Sequence, residues 1–267
     1  MIFIYTNLWR IIMGEFIRKD TETVYHFDTI TNKAFRKLMA LGGSLKSYIF
    51  KPIGRSTSSI IYYDTPENLL KRAGILLYKT FERGKYYFKL EKLSFLPKAF
   101  KVSGEEIFVH EIYSAKDTPE NHALYLIDAI TSMFATQFNI DLENVLKVAR
   151  PKMIVEIKAD MIKVFSGTGF KCEMGLEKVL YRNFETKKKV KKDEVSFTLD
   201  SPINFIGDYK NFINTVTKYC KDITELTESR YEHATNLTKI IEVPKESKKI
   251  KKQKEQKAKR AEDIIEG

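Results

Sequence analysis

The feature that most constrains this chain is the stretch IIYYDTPENLLKRAGILLYKTFERGKYYFKLEK, from Ile60 to Lys92. It opens on a β-rich run. Thr65-Pro66 then signals a short helix, with proline at its first position, and Gly74 ends it. ILLYKTF and KYYFKLEKL follow as two strands joined by ERG, a hairpin with glycine in the turn. Alternate side chains on a strand point to opposite faces. Tyr86, Phe88 and Leu90 therefore share one face, and Tyr87, Lys89 and Glu91 the other. Such a segment commits the chain to an antiparallel sheet with one apolar face and one that is aromatic and charged.

The remaining segments extend that sheet. TETVYHF reads as a strand, and a helix follows from Thr31 as N-cap to Gly42-Gly43. AFKVSGEEIFVHEI reads as a strand pair or one bulged strand around Gly104. TPENHALYLIDAITSMFATQFN predicts a helix with Leu124, Ile127, Ile130, Met133 and Phe134 on one face. VLKVAR, KMIVEIKADMIKVFSG, FKCEMGLEKVLY and EVSFTLDSP are strand-like, and FIGDYKNFINTVTKYCKDI and SRYEHATNLTKII are helical. The class is α+β: one large antiparallel sheet or barrel with helices packed outside. Phe170, Cys172 and Met174 oppose Lys171, Glu173 and Gly175; Val195, Phe197 and Leu199 oppose Glu194, Ser196, Thr198 and Asp200. The polar face either meets water on an open sheet or lines the lumen of a closed barrel. A charged lumen needs a ligand, a metal or mutual pairing, because isolated buried charges are very costly. Periodicity does not choose between the two.

The formal net charge is +11, and residues Lys245 to Arg260 supply +7 of it, with nine basic and two acidic side chains. The body is only mildly basic. We divide the chain into a leader or extra segment (1–14), a single domain (15–243) and a lysine-rich tail that is disordered or frayed-helical (244–267). The tail carries no aromatic side chain to stack bases, so any contact it makes with nucleic acid or another anionic partner is through phosphates and salt-sensitive. The run KKKVKK (187–192) is placed in a hairpin loop. Two cysteines, Cys172 and Cys220, with no CxxC or Cys/His cluster, exclude a disulfide framework and that route to zinc; they fit a reducing cytoplasm. MIFIYTNLWRIIMG is too short for a membrane span. It reads as a leader before Met13 or as an amphipathic helix on the core.

From Tyr62 to Lys92 the order YYDTP, NLLKRAG, ILLYKT, ERGK, YYFKLEK resembles the CYTH domain, the fold of the triphosphate tunnel metalloenzymes. Fainter echoes continue through EEIFV, KVARPK and ESRYEHA, so the resemblance spans roughly Thr21 to Leu237. It implies an antiparallel eight-stranded tunnel-like β-barrel with helices outside. Basic side chains there hold a triphosphate, and carboxylates hold Mg²⁺ or Mn²⁺. Carried over residue by residue, it implies catalytic roles for Glu22 and His26. It implies phosphate binding by Lys89, Arg150, Lys152 and Arg230, and metal ligation by Glu105 or Glu106 and by Glu173. The ligand class is inorganic triphosphate, a nucleoside triphosphate or an RNA 5′ end, and the reaction, if one is catalysed, metal-dependent triphosphate hydrolysis. The sequence also departs from the pattern. Val24 and His26 stand where an acidic and a basic residue are expected, Tyr78 and Thr80 where two arginines are, and Ser196 and Thr198 where two glutamates are. An arginine lost from the interior removes a bidentate phosphate clamp. The retained fold therefore carries an altered site. Two other readings stand beside hydrolysis: a non-catalytic scaffold or nucleic-acid-associated subunit acting through the tail, and a class IV-like adenylate cyclase, which shares this fold.

Overall fold

The long alternating segments form one antiparallel sheet. The structure is a computed structural model that describes residues 15–18, 24–29, 32–41, 44–82, 84–92, 106–134, 141–200, 205–226 and 228–239. Its strands are β1 (Glu15–Arg18), β2 (Val24–Thr29), β3 (Ser44–Leu45), β4 (Tyr48–Asp64), β5 (Ile75–Glu82), β6 (Lys85–Lys92), β7 (Glu106–Ile112), β8 (Arg150–Ser166), β9 (Lys171–Asn183), β10 (Lys189–Leu199) and β11 (Ile223–Glu225). The helices are α1 (Asn32–Met39), α2 (Leu69–Arg72), α3 (Ala123–Phe134), α4 (Leu142–Val148), α5 (Ile206–Tyr219) and α6 (Arg230–Thr238).

The sheet has eleven strands in the order β1-β7-β6-β5-β4-β8-β9-β10-β2-β11, with β3 added to β4. This differs from the expected closed ring of eight: among the described residues the ladder is an open path. The path is nonetheless strongly curled. Eight strand spacings separate β1 from β2, about 38 Å if laid flat at 4.7–4.9 Å each. Only five residues join Arg18 to Val24, and that connection reaches at most about 22 Å. The two ends of the sheet must therefore approach each other.

Three clusters fill the two faces. On the convex face, Ala34, Phe35 and Leu38 of α1 and Tyr209, Phe212, Ile213 and Val216 of α5 cover Cys172, Met174, Val195 and Phe197. Phe212 sits at the centre, its ring 4.9 Å from Tyr48, 5.6 Å from Phe197 and 5.7 Å from Phe170. Farther along the same face, Leu70 of α2, Leu126, Ala129 and Ile130 of α3, and Val145 and Leu146 of α4 cover Leu77, Phe88, Leu90 and Phe108. The third cluster lies on the concave face. Tyr62, Tyr78, Met153, Val155, Val179 and Tyr181 pack there against Tyr231 and Ala234 of α6. One helix is thus inside the curl rather than outside it.

Local readings change in four places. Of the run KKKVKK only Lys187 and Lys188 lie in the hairpin connection, and Lys189–Lys192 belong to β10. VLKVAR is helical up to Val148, because Asp141 caps α4 by accepting from the Asn144 amide at 3.1 Å. Helix α2 begins only at Leu69, after Asn68 turns left-handed at φ 58°, so Pro66 sits in the preceding turn. On α3, Ile127 and Ile130 pack against the core as expected, joined by Leu126 and Ala129, whereas Leu124 is 83% exposed. Steps of three residues drift about 60° each on a 3.6-residue helix, so Leu124 leaves the stripe that Ile127 and Ile130 share; Glu120–His122 form a single 3₁₀ turn ahead of the helix. Leu126→Ala is expected to cost about 2–5 kcal/mol in denaturant unfolding, and Leu124→Ala less than about 0.5 kcal/mol.

Candidate functional site

The Asp-Thr-Pro segment is a structural joint. Asp64 is 3% exposed and its carboxylate accepts from the backbone amides of Thr65 (2.7 Å), Leu70 (2.9 Å) and Lys71 (3.0 Å). The Thr65 hydroxyl accepts from the Leu69 amide at 3.1 Å. These bonds supply the N–H partners that a four-residue helix lacks at its start. Burial raises the pKa of Asp64, and the three amides and Lys152 pull it back down. Lys152 is buried beneath this joint, donating to the Pro66 carbonyl at 3.2 Å and to Glu185. Arg150 lies apart from it, exposed, with its guanidinium on the Lys147 and Ala149 carbonyls at the end of α4.

The concave face holds a charged cluster built on β9, β10 and α6. Glu177 and Glu194 are direct cross-strand partners, so both carboxylates project inward from adjacent strands. Helix α6 starts beside them because Ser229 and Glu232 form a reciprocal capping box, with Glu232 N–H to Ser229 Oγ at 3.2 Å and Ser229 N–H to Glu232 Oε2 at 3.0 Å. The next residue, Arg230, donates to Glu177 Oε2 at 2.8 Å and lies 3.8 Å from Glu194 Oε2. Ser196 donates to the other Glu177 oxygen at 2.5 Å. Tyr181 donates to Glu194 Oε1, and His233 Nε2 lies 3.6 Å from the same oxygen. His233 Nδ1 faces Glu228 at 3.0 Å. Burial lowers the Arg230 pKa, but Glu177, Tyr181 and Glu194 outweigh it and hold the guanidinium charged. Burial, and then Glu194, push the Tyr181 phenol far above its ordinary range.

The opposite wall carries Lys89. Its ammonium lies 2.9 Å from both Glu82 oxygens, and the Thr80 hydroxyl donates to Glu82 at 2.9 Å. Lys89 and Glu91 share the inward face with Tyr78, their cross-strand neighbour in the register. Burial raises the pKa of Tyr62, then Glu91 raises it and Arg230 lowers it, so these charged groups on two walls act on one interior hydroxyl. Lys79 points the other way. It is 5% exposed and donates to the Ala115 and Asp117 carbonyls on the convex side. Toward the far end of β9, Glu173 lies 4.0 Å from Lys163, which is 3.3 Å from Asp200.

Of the residues picked from sequence, Lys89 and Arg230 thus face one interior, and Glu173 lies two alternations along β9 from Glu177. Arg150 and Lys152 serve the loops at the α2 end. Glu22 and Glu105 lie outside the described residues, as do the leader and the lysine tail. His26 is registered opposite Ser196 and Glu106 opposite Arg18. Glu177, Tyr181 and His233 were not picked, although the S-x-x-E spacing before α6 and the inward alternation from Glu173 through Gly175 to Glu177 were both visible.

A solved structure shares this architecture. HpAC1 of Hippeastrum, an adenylyl cyclase candidate with a dominant triphosphatase activity, superposes with a TM-score of 0.53 at 11% identity, over 82% of this chain and 98% of its own. An adenylate cyclase candidate from Bacillus halodurans gives 0.47 at 10% identity, over 80% and 95%. The fold is CYTH-like. No family model matches the chain, and no curated protein matches it by sequence. No helix among the described residues is long and apolar enough to cross a membrane.

Divalent cations in such a CYTH-like interior want several carboxylate oxygens. Glu194 Oε2 is buried without a hydrogen bond among the described residues, the kind of atom a cation takes. Its neighbours, however, are Arg230 and His233, and a guanidinium repels a second cation. No three His, Cys, Asp or Glu side chains among the described residues are placed to hold an ion. The described side chains do not fit Mg²⁺ or Mn²⁺. What they do form is a pre-paired arginine beside a hydroxyl, and Gly175 makes room for it. A Cβ there would lie 2.7 Å from Ser196 Oγ. Gly175→Ala is expected to break the Ser196–Glu177 bond and to cost about 1–3 kcal/mol. Adding Ser196→Ala should recover most of the loss, as read by thermal and denaturant unfolding.

Proposed function

We propose that this chain binds a triphosphate-bearing ligand in the polar half of a closed, eight-stranded tunnel. The strand count supports closure. β3 and β11 are additions of two and three residues. β1 and β2 are separated by eight antiparallel pairings, so they run in the same direction. Read as one interrupted strand, they pair β7 with the first half and β10 with the second, and the ring has eight members. A ring of that size has room for packed side chains or one small ligand. Here α6 and the tyrosines around it take one part of the interior, and Lys89, Arg230 and Lys163 border the rest.

The observation that carries the reading is the inward guanidinium of Arg230, held at the edge of the apolar packing by Glu177. An arginine fork suits phosphate oxygens. A triphosphate would take Arg230 from Glu177, and Lys89 from Glu82, by exchange of one anion for another. HpAC1, with its triphosphatase activity, makes that ligand class the natural one to test. The described side chains supply no metal set, so the reading stops at binding.

The experiment is a thermal-shift and calorimetric titration with tripolyphosphate, ATP and a 5′-triphosphate RNA, each with and without Mg²⁺ or Mn²⁺. A rise in melting temperature with at least one of them, lost in Lys89→Gln, is expected. No shift with any of the three would overturn the proposal. Phosphate or cyclic AMP measured in the same samples would extend it to hydrolysis or cyclisation.

A further inference from the structure

The convex face carries helices at both ends, with a strip between them that no described helix covers. The strip is formed by β4, β8, β9 and β10, where most outward residues are polar or charged. One row across it reads Thr57, Lys158, Lys178, Asp193, and the next reads Ser59, Glu156, Leu180, Lys191. Arg182 and Lys189 begin the row beyond. Across these strands the strip holds six cations, with Arg55 at its edge, against three carboxylates: Glu156, Asp160 and Asp193. Arg55 takes Asp160 at 3.0 Å, and Arg182 lies 3.9 Å from Glu156. Lys158, Lys178, Lys189 and Lys191 remain exposed.

Lys158 and Lys178 are direct cross-strand partners. Like charges in that position repel and weaken the sheet. A bound anion would convert this repulsion into attraction. None of the exposed large hydrophobic residues lies on the rows of the strip, so nothing is present to insert into a lipid surface. No aromatic side chain stands on these rows to stack a base. An array of ammonium groups fixed on adjacent strands, without a stacking partner, matches a phosphate backbone read without sequence.

We propose that this outer strip of β8, β9 and β10 docks the phosphate backbone of a nucleic-acid strand, independently of the interior site. The probe is a fluorescent, 5′-hydroxyl oligoribonucleotide of about 20 nucleotides, long enough to cross the strip and lacking the triphosphate that the interior would read. Full-length chain and a Lys158→Glu, Lys178→Glu, Lys191→Glu variant are compared by anisotropy across a salt series, with the lysine tail present in both. The variant is expected to bind at least tenfold more weakly, with a log–log salt slope shallower by about 2, from three lost contacts at ~0.7 each on a single strand. Its melting temperature is expected to fall slightly, because the carboxylates introduced at positions 158 and 178 are again like charges directly opposite, now with Asp193 beside position 178. If the glutamates disturb folding, the three Lys→Gln substitutions make the same comparison. Unchanged affinity and slope would overturn the proposal and leave these lysines as a solvated face. Loss of binding to phosphatidylserine vesicles or an acidic peptide, with RNA binding intact, would overturn it too. Neither result bears on triphosphate binding inside.

Discussion

Arg230 is buried between two carboxylates, and the interior of the curled sheet is arranged to make that burial tolerable. A guanidinium removed from water costs several kcal/mol unless it is paired and hydrogen-bonded. Glu177 and Glu194 meet this need only because β9 and β10 are registered to place them side by side. Ser196 can reach Glu177 only because residue 175 has no side chain. The capping box of Ser229 and Glu232 sets where α6 begins, and so where the guanidinium enters. The positive end of the helix dipole disfavours an arginine in the first turn, and the two glutamates offset that. Tyr231, one residue on, then packs its ring 4.9 Å from Tyr62. The helix is thereby fixed within the curl by one charged and one aromatic contact.

This arrangement divides the concave face into two zones. Around α6 it is filled by tyrosines, valines and methionines, as a core is. Beyond Arg230 the inward positions turn polar, with Thr80, Glu82 and Lys89 on one wall and Ser196, Glu173 and Lys163 on the other. A strand with polar residues at alternate positions looks the same in sequence whether its polar face meets water or a lumen. The chain length between β1 and β2 is too short for a flat sheet, so the sheet curls and the polar face lies on its concave side.

The fold was legible because its identifying residues are structural. Asp64 and Thr65 in YYDTP satisfy the amides at the start of α2, and any chain that makes this joint needs an acceptor there. Gly84, at φ 81°, makes the β5–β6 turn. The convex apolar positions of β9 and β10 were assigned correctly from alternation alone. The site was less legible, since a charged residue shows its type in sequence but not its partner. Lys152, read as a phosphate ligand, has the Pro66 carbonyl and Glu185 as its partners beneath the Asp64 loop. Arg150 was read likewise and holds the end of a helix that was itself read as a strand. His233 had no recognisable ligand spacing, because its partners Glu194 and Glu228 come from β10 and from the approach to α6. On α3 only Leu124 was misplaced, because a run of three-residue steps drifts around a helix of 3.6 residues per turn.

The central claim is that the Arg230–Glu177 pair fixes α6 inside the sheet and presents the guanidinium to the remaining interior. A double-mutant cycle in denaturant unfolding with Arg230→Met and Glu177→Met tests it most directly. Arg230→Met leaves two buried carboxylates without their guanidinium and should cost about 3–5 kcal/mol; Glu177→Met leaves the guanidinium with Glu194 alone at 3.8 Å and should cost less. The double variant, which leaves Glu194 to Tyr181 and His233, should be less destabilised than the sum of the two by about 1–3 kcal/mol. Strictly additive losses, or single variants as stable as the parent, would contradict the account.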